Sequence, residues 1–144
     1  MSRHCVSRRL PYRCEQLFDL VLDIERYPAF VPGYSQARIL RREADALEVE
    51  QQAGFGPAAF RFRSRAEFMA PERIAIRALD GPFRRLDVTW HFLPQDGGCR
   101  VTAETRYELA PLLAPLLQGG LALLASRLLD AFARRAAELY GERA

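Results

Sequence analysis

The chain contains no lysine and no asparagine, and all 21 of its basic residues are arginine. With its many Ala and Leu residues, this points to a GC-rich coding sequence before it points to selection for guanidinium chemistry. Histidine is scarce, with only His4 and His91 present. His91 follows Trp90 and falls on the polar face of its segment, so a solvated role is expected before a catalytic one. Three cysteines, Cys5, Cys14 and Cys99, contain no CxxC pair. They signal neither a disulfide framework nor a zinc site, and they suit a reducing cytoplasm. No metal and no covalent cofactor are expected. No run of 18 uninterrupted apolar residues occurs, which argues against a bilayer span. The opening Met1-Ser2-Arg3-His4-Cys5-Val6 lacks the apolar stretch of a secretory signal. HExxH, GxSxG, Walker and GxGxxG patterns are missing as well, so no strong enzyme signal and no catalytic residue emerge. The carboxylates Glu48/Glu50 and Glu104/Glu108 recur at even spacing beside arginines, which reads as cross-strand charge pairing.

What is present is an ordinary globular composition: 144 residues, 49% hydrophobic, 27% charged, net charge +3. That length fits a single domain, 1–144, able to hide roughly 70% of the surface of its unfolded chain. Positions 3–10 read as a first strand. After Pro11, Leu17, Leu20, Val21 and Ile24 fall on one stripe of a helix, and a second short helical piece runs from Ile24 to Phe30. From about 34 to 109 the period is two. In Phe60-Arg61-Phe62-Arg63-Ser64-Arg65-Ala66-Glu67-Phe68, apolar and charged residues alternate, the pattern of a half-buried antiparallel strand. The alternation recurs around Leu47–Ala53, Ile74–Ala78, Leu86–Phe92 and Val101–Leu109. Turns are expected at 53–57, 80–82 and 95–98. Beyond Pro111, Leu121, Leu124, Ala125, Leu128, Phe132, Ala136 and Leu139 form the stripe of a long helix. A kink or break is expected at Gly119-Gly120, each glycine costing about 1 kcal/mol against alanine. The order β-α-α-β₆-α predicts an α+β fold, with about seven antiparallel strands curved around the last helix.

Three features bear on function. The bulky residues Phe55, Phe60, Phe62, Phe68, Phe83, Trp90, Phe92 and Tyr107 share one face of that sheet. They form either a packed core or the wall of an apolar cavity under the helix. Of these, Phe60, Phe62, Phe68, Trp90, Phe92 and Tyr107, with Ile76, Leu86, Leu124, Leu128 and Phe132, are the candidate ligand contacts. Gln51, Thr105 and the Tyr107 hydroxyl are candidates to orient a polar head. The run 112–125 is apolar almost all round, which predicts burial on every side, with a mobile lid or membrane-touching edge as the alternative. Finally, Arg61, Arg63 and Arg65 stand in a row on the outward face, with Arg73 and Arg77 on the next strand. Such a face is by default solvated and partly ion-paired; as a functional surface it would meet RNA phosphates.

Leu17-Phe18-Asp19-Leu20-Val21, Asp23 and Tyr27-Pro28-x-Phe30-x-Pro32 resemble the opening signature of the coenzyme-Q-binding START-like proteins, a branch of the polyketide cyclase/dehydrase superfamily. The resemblance continues through Asp80-Gly81-Pro82-Phe83, Leu86, Trp90 and Phe92. It ends at Ala131-Phe132-x-x-Arg135-Ala136 and Tyr140-Gly141. Gly33-Tyr34 depart from it, since the family often carries a tryptophan directly after the second proline. The resemblance implies a helix-grip fold and a non-enzymatic carrier of ubiquinone or a similar polyisoprenoid in support of respiration. It implies a cytoplasmic protein with transient contact at the inner membrane and no DNA partner. Bacterial relatives that act as ribosome-association toxins imply an alternative, binding to the large ribosomal subunit to block subunit association. An aromatase/cyclase-like enzyme ranks last.

Overall fold

The computed structural model of the chain describes residues 2–141. Seven strands form one antiparallel sheet: β1 (Ser2–Leu10), β2 (Tyr34–Arg42), β3 (Ala46–Ala53), β4 (Phe60–Met69), β5 (Arg73–Ala78), β6 (Phe83–Gln95) and β7 (Gly98–Leu109). Their order across the sheet is β1-β7-β6-β5-β4-β3-β2. β2 through β7 are therefore linked as successive hairpins, and β1 returns to pair with β7. The chain travels from the β1 edge to the β2 edge through α1 (Cys14–Leu22) and a 3₁₀ helix (Ile24–Ala29). A single long helix, α2 (Ala114–Tyr140), lies in the concavity of the curved sheet.

Alternation builds the two faces. In β4, Phe62, Ser64 and Ala66 are buried while Arg61, Arg63 and Glu67 are exposed, as a period of two requires. α1 begins where the Gln16 side chain accepts the Arg13 backbone N–H at 3.0 Å, one half of a capping box. It buries Leu17, Phe18, Leu20 and Val21. The Phe18 ring meets Phe92 and Phe68 edge-on, at centroid separations of 5.7 and 6.2 Å. Phe68 and Phe92 are thereby committed to the core beneath α1.

α2 is anchored at its far end. The Tyr12 hydroxyl donates to the Gly141 carbonyl at 2.8 Å and the Tyr140 hydroxyl to the Gln16 carbonyl at 3.1 Å. The expected break at Gly119-Gly120 does not occur; the helix is continuous over 27 residues. Leu117, Leu121, Ala125, Leu129, Phe132 and Ala136 are buried along one stripe. At about 1.5–3 kcal/mol for each large side chain, that burial outweighs the helical cost of two glycines. By length and composition α2 would suffice to cross a membrane, but this stripe holds it against the sheet. The expectation that 112–125 is buried on all sides is corrected: Leu112 is 95% exposed and Leu116 54%. A single helix over a curved sheet has only one face to bury, so the opposite leucines are left outside.

The interior separates into two apolar clusters. One gathers α1, the 3₁₀ helix, Trp90, Phe92 and the second half of α2. The other contains Ala53, Phe62, Leu86, Tyr107, Leu117 and Leu121 beneath the first half of α2. Tyr34, Val88 and Leu124 belong to both margins, and the space described next lies along that seam.

Candidate functional site

Two small chambers lie between the sheet and α2 and share Tyr34, Phe62, Leu86, Val88 and Leu128 as walls. The outer chamber, about 60 Å³, is closed by Phe60, Phe83, Tyr107 and the α2 residues Leu121, Leu124 and Ala125. The inner chamber, about 50 Å³, reaches Ile24, Tyr27, Ile76 and Trp90 and ends on two polar residues, Gln51 and Ser64. Gln51 is 4% exposed and Ser64 fully buried. The Gln51 amide nitrogen donates to the Ser64 hydroxyl at 2.8 Å. Both occupy inward positions of their strands, where every neighbour in phase is apolar.

The tyrosines around this space differ in their attachments. The Tyr27 hydroxyl donates to the Val21 carbonyl in a short hydrogen bond, and burial lifts its pKa well above the ordinary value. Burial pushes the Tyr34 hydroxyl up to about 12, so it stays a neutral donor throughout the physiological range. The Tyr107 hydroxyl accepts a hydrogen bond from the Gln118 amide of α2 at 2.9 Å. The same amide donates to the Ser2 hydroxyl at 3.0 Å. Gln118 therefore clips the first half of α2 to β1 and β7.

Of the residues expected to contact a ligand, the structure brings Phe60, Phe62, Ile76, Leu86, Trp90, Tyr107, Leu124 and Leu128 around the chambers. Phe68, Phe92 and Phe132 lie elsewhere. Phe68 and Phe92 pack on Phe18, and Phe132 is enclosed by Tyr27, Phe30 and Trp90, each at a centroid distance of 5.1 Å. Tyr34, Val88 and Ile24 also line the space, Tyr34 filling a wall at the place where the sequence departs from the motif it otherwise resembles. Ser64 was the residue hardest to see. Its signal was a hydroxyl in the apolar phase of β4, between Phe62 and Ala66.

The motif residues mostly hold the frame. Tyr27 and Phe30 stack edge-on with Phe132, and the Arg135 guanidinium lies 5.4 Å from the Phe30 ring centre, within cation–π range. Pro28 lies inside the 3₁₀ helix, and Pro32 precedes the entry to β2. Asp80 reaches back to β4, where its carboxylate accepts the Arg63 backbone N–H at 2.6 Å and the Arg63 Nε–H at 2.7 Å. These two bonds hold its pKa below the ordinary carboxylate value. Gly81 adopts φ +93°, and a Cβ there would lie 2.6 Å from the Phe62 Cβ. Asp80-Gly81-Pro82-Phe83 thus presses a tight turn onto the cavity wall.

The outward arginine face is partly ion-paired, as its default reading has it. Arg61 pairs with Glu50, Arg63 with Asp80, and Arg65 with Glu43 and Glu48. Those three are already occupied by carboxylates of β3 and of the β2–β3 and β5–β6 turns. Arg73 and Arg77 have no ion-pair partner among the described residues. His91 lies on the same outward face. Among the described residues no group of three His, Cys, Asp or Glu side chains is placed to hold a metal ion.

A seven-stranded curved sheet gripping one long helix around an apolar space is the helix-grip architecture of START-like proteins. Residues 10–133 match the family described as polyketide cyclase / dehydrase and lipid transport, and the chain belongs to that family. It is 33% identical, over 98% of its own length and 100% of the other, to the ribosome association toxin RatA of Pseudomonas aeruginosa. It is 26% identical to the coenzyme Q-binding protein COQ10 homolog B, mitochondrial, of Xenopus laevis, over 94% of this chain and 58% of that protein. Among solved structures, the 18 kDa protein CC1736 of Caulobacter crescentus is 33% identical, with 99% and 100% of the chains covered and a TM-score of 0.71.

Proposed function

We propose that the chain is a non-enzymatic carrier of an isoprenoid quinone, ubiquinone in the first place, working in the cytoplasm and at the inner-membrane surface. The observation that carries this reading is the apolar seam under α2 ending on the buried Gln51–Ser64 pair. Such a shape suits a ligand with one hydrogen-bonding head and a hydrocarbon tail. A quinone carbonyl would accept from Gln51 Nε2 or from Tyr34, and the tail would lie between Phe62, Leu86 and Leu128. The coenzyme Q-binding relative supports the same choice of ligand.

The chambers, about 60 and 50 Å³, are far smaller than the roughly 300 Å³ at which drug-sized pockets begin. Loading therefore requires the first half of α2 to swing outward, breaking the Gln118–Tyr107 hydrogen bond. The exposed Leu112, Leu113, Leu116 and Leu123 would meet lipid during that opening, and burying them there offsets the loss of Leu117 and Leu121 from the core. Trp90 reports on the event, because it is the only tryptophan and lines the inner chamber. A short-chain ubiquinone analogue should quench its fluorescence saturably in the wild type and not in Phe62→Arg. Equal quenching of both proteins rejects the cavity as the binding site.

The second reading is association with the large ribosomal subunit and interference with subunit joining. It is favoured by the full-length match to a ribosome association toxin. Its test is co-sedimentation of the protein with purified large subunits; sedimentation of subunits alone removes it.

A further inference from the structure

The convex face of the sheet carries a second concavity, about 390 Å³, across β4 to β7. Strand register explains its shape. Ala75 of β5 faces Glu67 of β4 on one side and Thr89 of β6 on the other, and Thr89 faces Glu104 of β7. This central row has small side chains in its middle, so it forms a floor. Two residues away along the strands runs the row Arg65, Arg77, Asp87, Arg106 and Arg3. On the opposite side Arg73 faces His91. The two flanking rows are about 13 Å apart along the strands, and neighbours within a row about 4.8 Å.

The charges in this groove do not cancel. Asp87 is engaged by Arg85 at 2.5 Å, and Glu104 by Arg106 at 2.7 Å and Arg3 at 3.0 Å. Glu67 faces Arg65 at 4.0 Å. Asp87 and Glu104 are thus each held by a guanidinium and Glu67 shares Arg65 with Glu43 and Glu48, whereas Arg73 and Arg77 have no ion-pair partner among the described residues. They flank a floor of small residues, with Thr89 and His91 as further hydrogen-bonding side chains. A guanidinium presents paired N–H donors that match phosphate oxygens.

We propose that this groove is a docking surface for RNA phosphates, with Arg73 and Arg77 as its principal contacts and Arg106 alongside. It rests on the ribosome-association reading, to which it assigns a face, and it is independent of the cavity under α2. The groove is bounded by Glu67 and Glu104, which limits it to two or three phosphates. Contacts of that kind position a backbone and do not read sequence.

The test uses the full chain, a fluorescein-labelled single-stranded RNA of about a dozen nucleotides, and purified large ribosomal subunits. With two phosphates neutralised, RNA affinity should fall about sevenfold between 50 and 200 mM salt. Arg73→Ser/Arg77→Ser should lose at least tenfold in RNA affinity and its sedimentation with subunits, with unchanged far-UV circular dichroism. Arg38→Ser/Arg41→Ser removes the same charge from β2 and should stay within twofold of wild type. Equal losses in both double variants would show that net charge alone drives binding and would overturn the assignment. Wild-type binding to subunits that Arg73→Ser/Arg77→Ser retains would overturn this face and leave the ribosome reading standing. Failure of the wild type to bind either RNA or subunits would overturn both.

Discussion

The buried Gln51–Ser64 pair allows the cavity to be separated from the fold. Gln51 is 4% exposed, Ser64 is fully buried, and 2.8 Å separates donor from acceptor. Replacing Gln51 with leucine keeps the volume close but leaves the Ser64 hydroxyl alone among Phe62, Ala66 and Val49. A buried polar group stranded in this way costs about 1–3 kcal/mol. Ser64→Ala strands the Gln51 amide instead, in the same range. The double variant Gln51→Leu/Ser64→Ala strands nothing, so its stability should return to within about 1 kcal/mol of wild type, a coupling of about 1 kcal/mol or more. Urea denaturation of ligand-free protein, followed by Trp90 fluorescence, measures all four corners of the cycle. The double variant should stay folded and lose its preference for quinones over plain isoprenoid hydrocarbons. Losses that add within about 0.5 kcal/mol would show that the two side chains do not depend on each other and would refute the reasoning.

Other expectations follow from single contacts. Gly81→Ala combines a φ of +93° with a Cβ 2.6 Å from that of Phe62; strain and overpacking together cost about 2–4 kcal/mol, so Tm should fall by about 5–15 °C. An unchanged Tm contradicts the packing of this turn. Asp80 has a folded pKa below its unfolded one because of Arg63. Its contribution is therefore present above the unfolded value of about 3.9 and is lost as pH falls through the folded value. Since the Asp80 side chain is 41% exposed, screening keeps the effect below about 1 kcal/mol. Asp80→Asn should narrow the stability difference between pH 6 and pH 3, and an identical acid profile would remove the linkage. Burial pushes the Cys99 thiol up to about 12, and Cys14 is buried too, whereas Cys5 is exposed. A disulfide reagent at pH 8 should titrate one thiol in the native protein and three in urea; three in the native state would contradict that burial.

Much of the architecture was legible because strand and helix periods are local. The alternation in Phe60–Phe68 is enough to place Arg61 and Arg63 outside and Phe62 and Ala66 inside. The long stripe from Leu121 to Ala136 likewise marks the buried face of α2. What was not legible depended on partners distant in sequence. Phe68 and Phe92 share a face with Phe62, yet Phe18 of α1 covers them, and nothing in β4 or β6 announces that lid. The alternation puts Arg61, Arg63 and Arg65 on an outward face that is partly ion-paired by default, but only the folded chain shows that Glu50, Asp80 and Glu43 are the partners. The same pairing leaves Arg73 and Arg77 over. Gly119-Gly120 misled in the opposite direction, since intrinsic propensity is small against the burial of a whole helical stripe.

The proposed occupant of the seam beneath α2 is a quinone. Its most direct measurement is ligand content: express the chain in a ubiquinone-producing bacterium, purify it without detergent, extract it with solvent and quantify quinone per chain by mass spectrometry, with Phe62→Arg as the control. The wild type should carry near-stoichiometric ubiquinone and the variant none. Wild-type protein empty of quinone under conditions that recover added ubiquinone would contradict it.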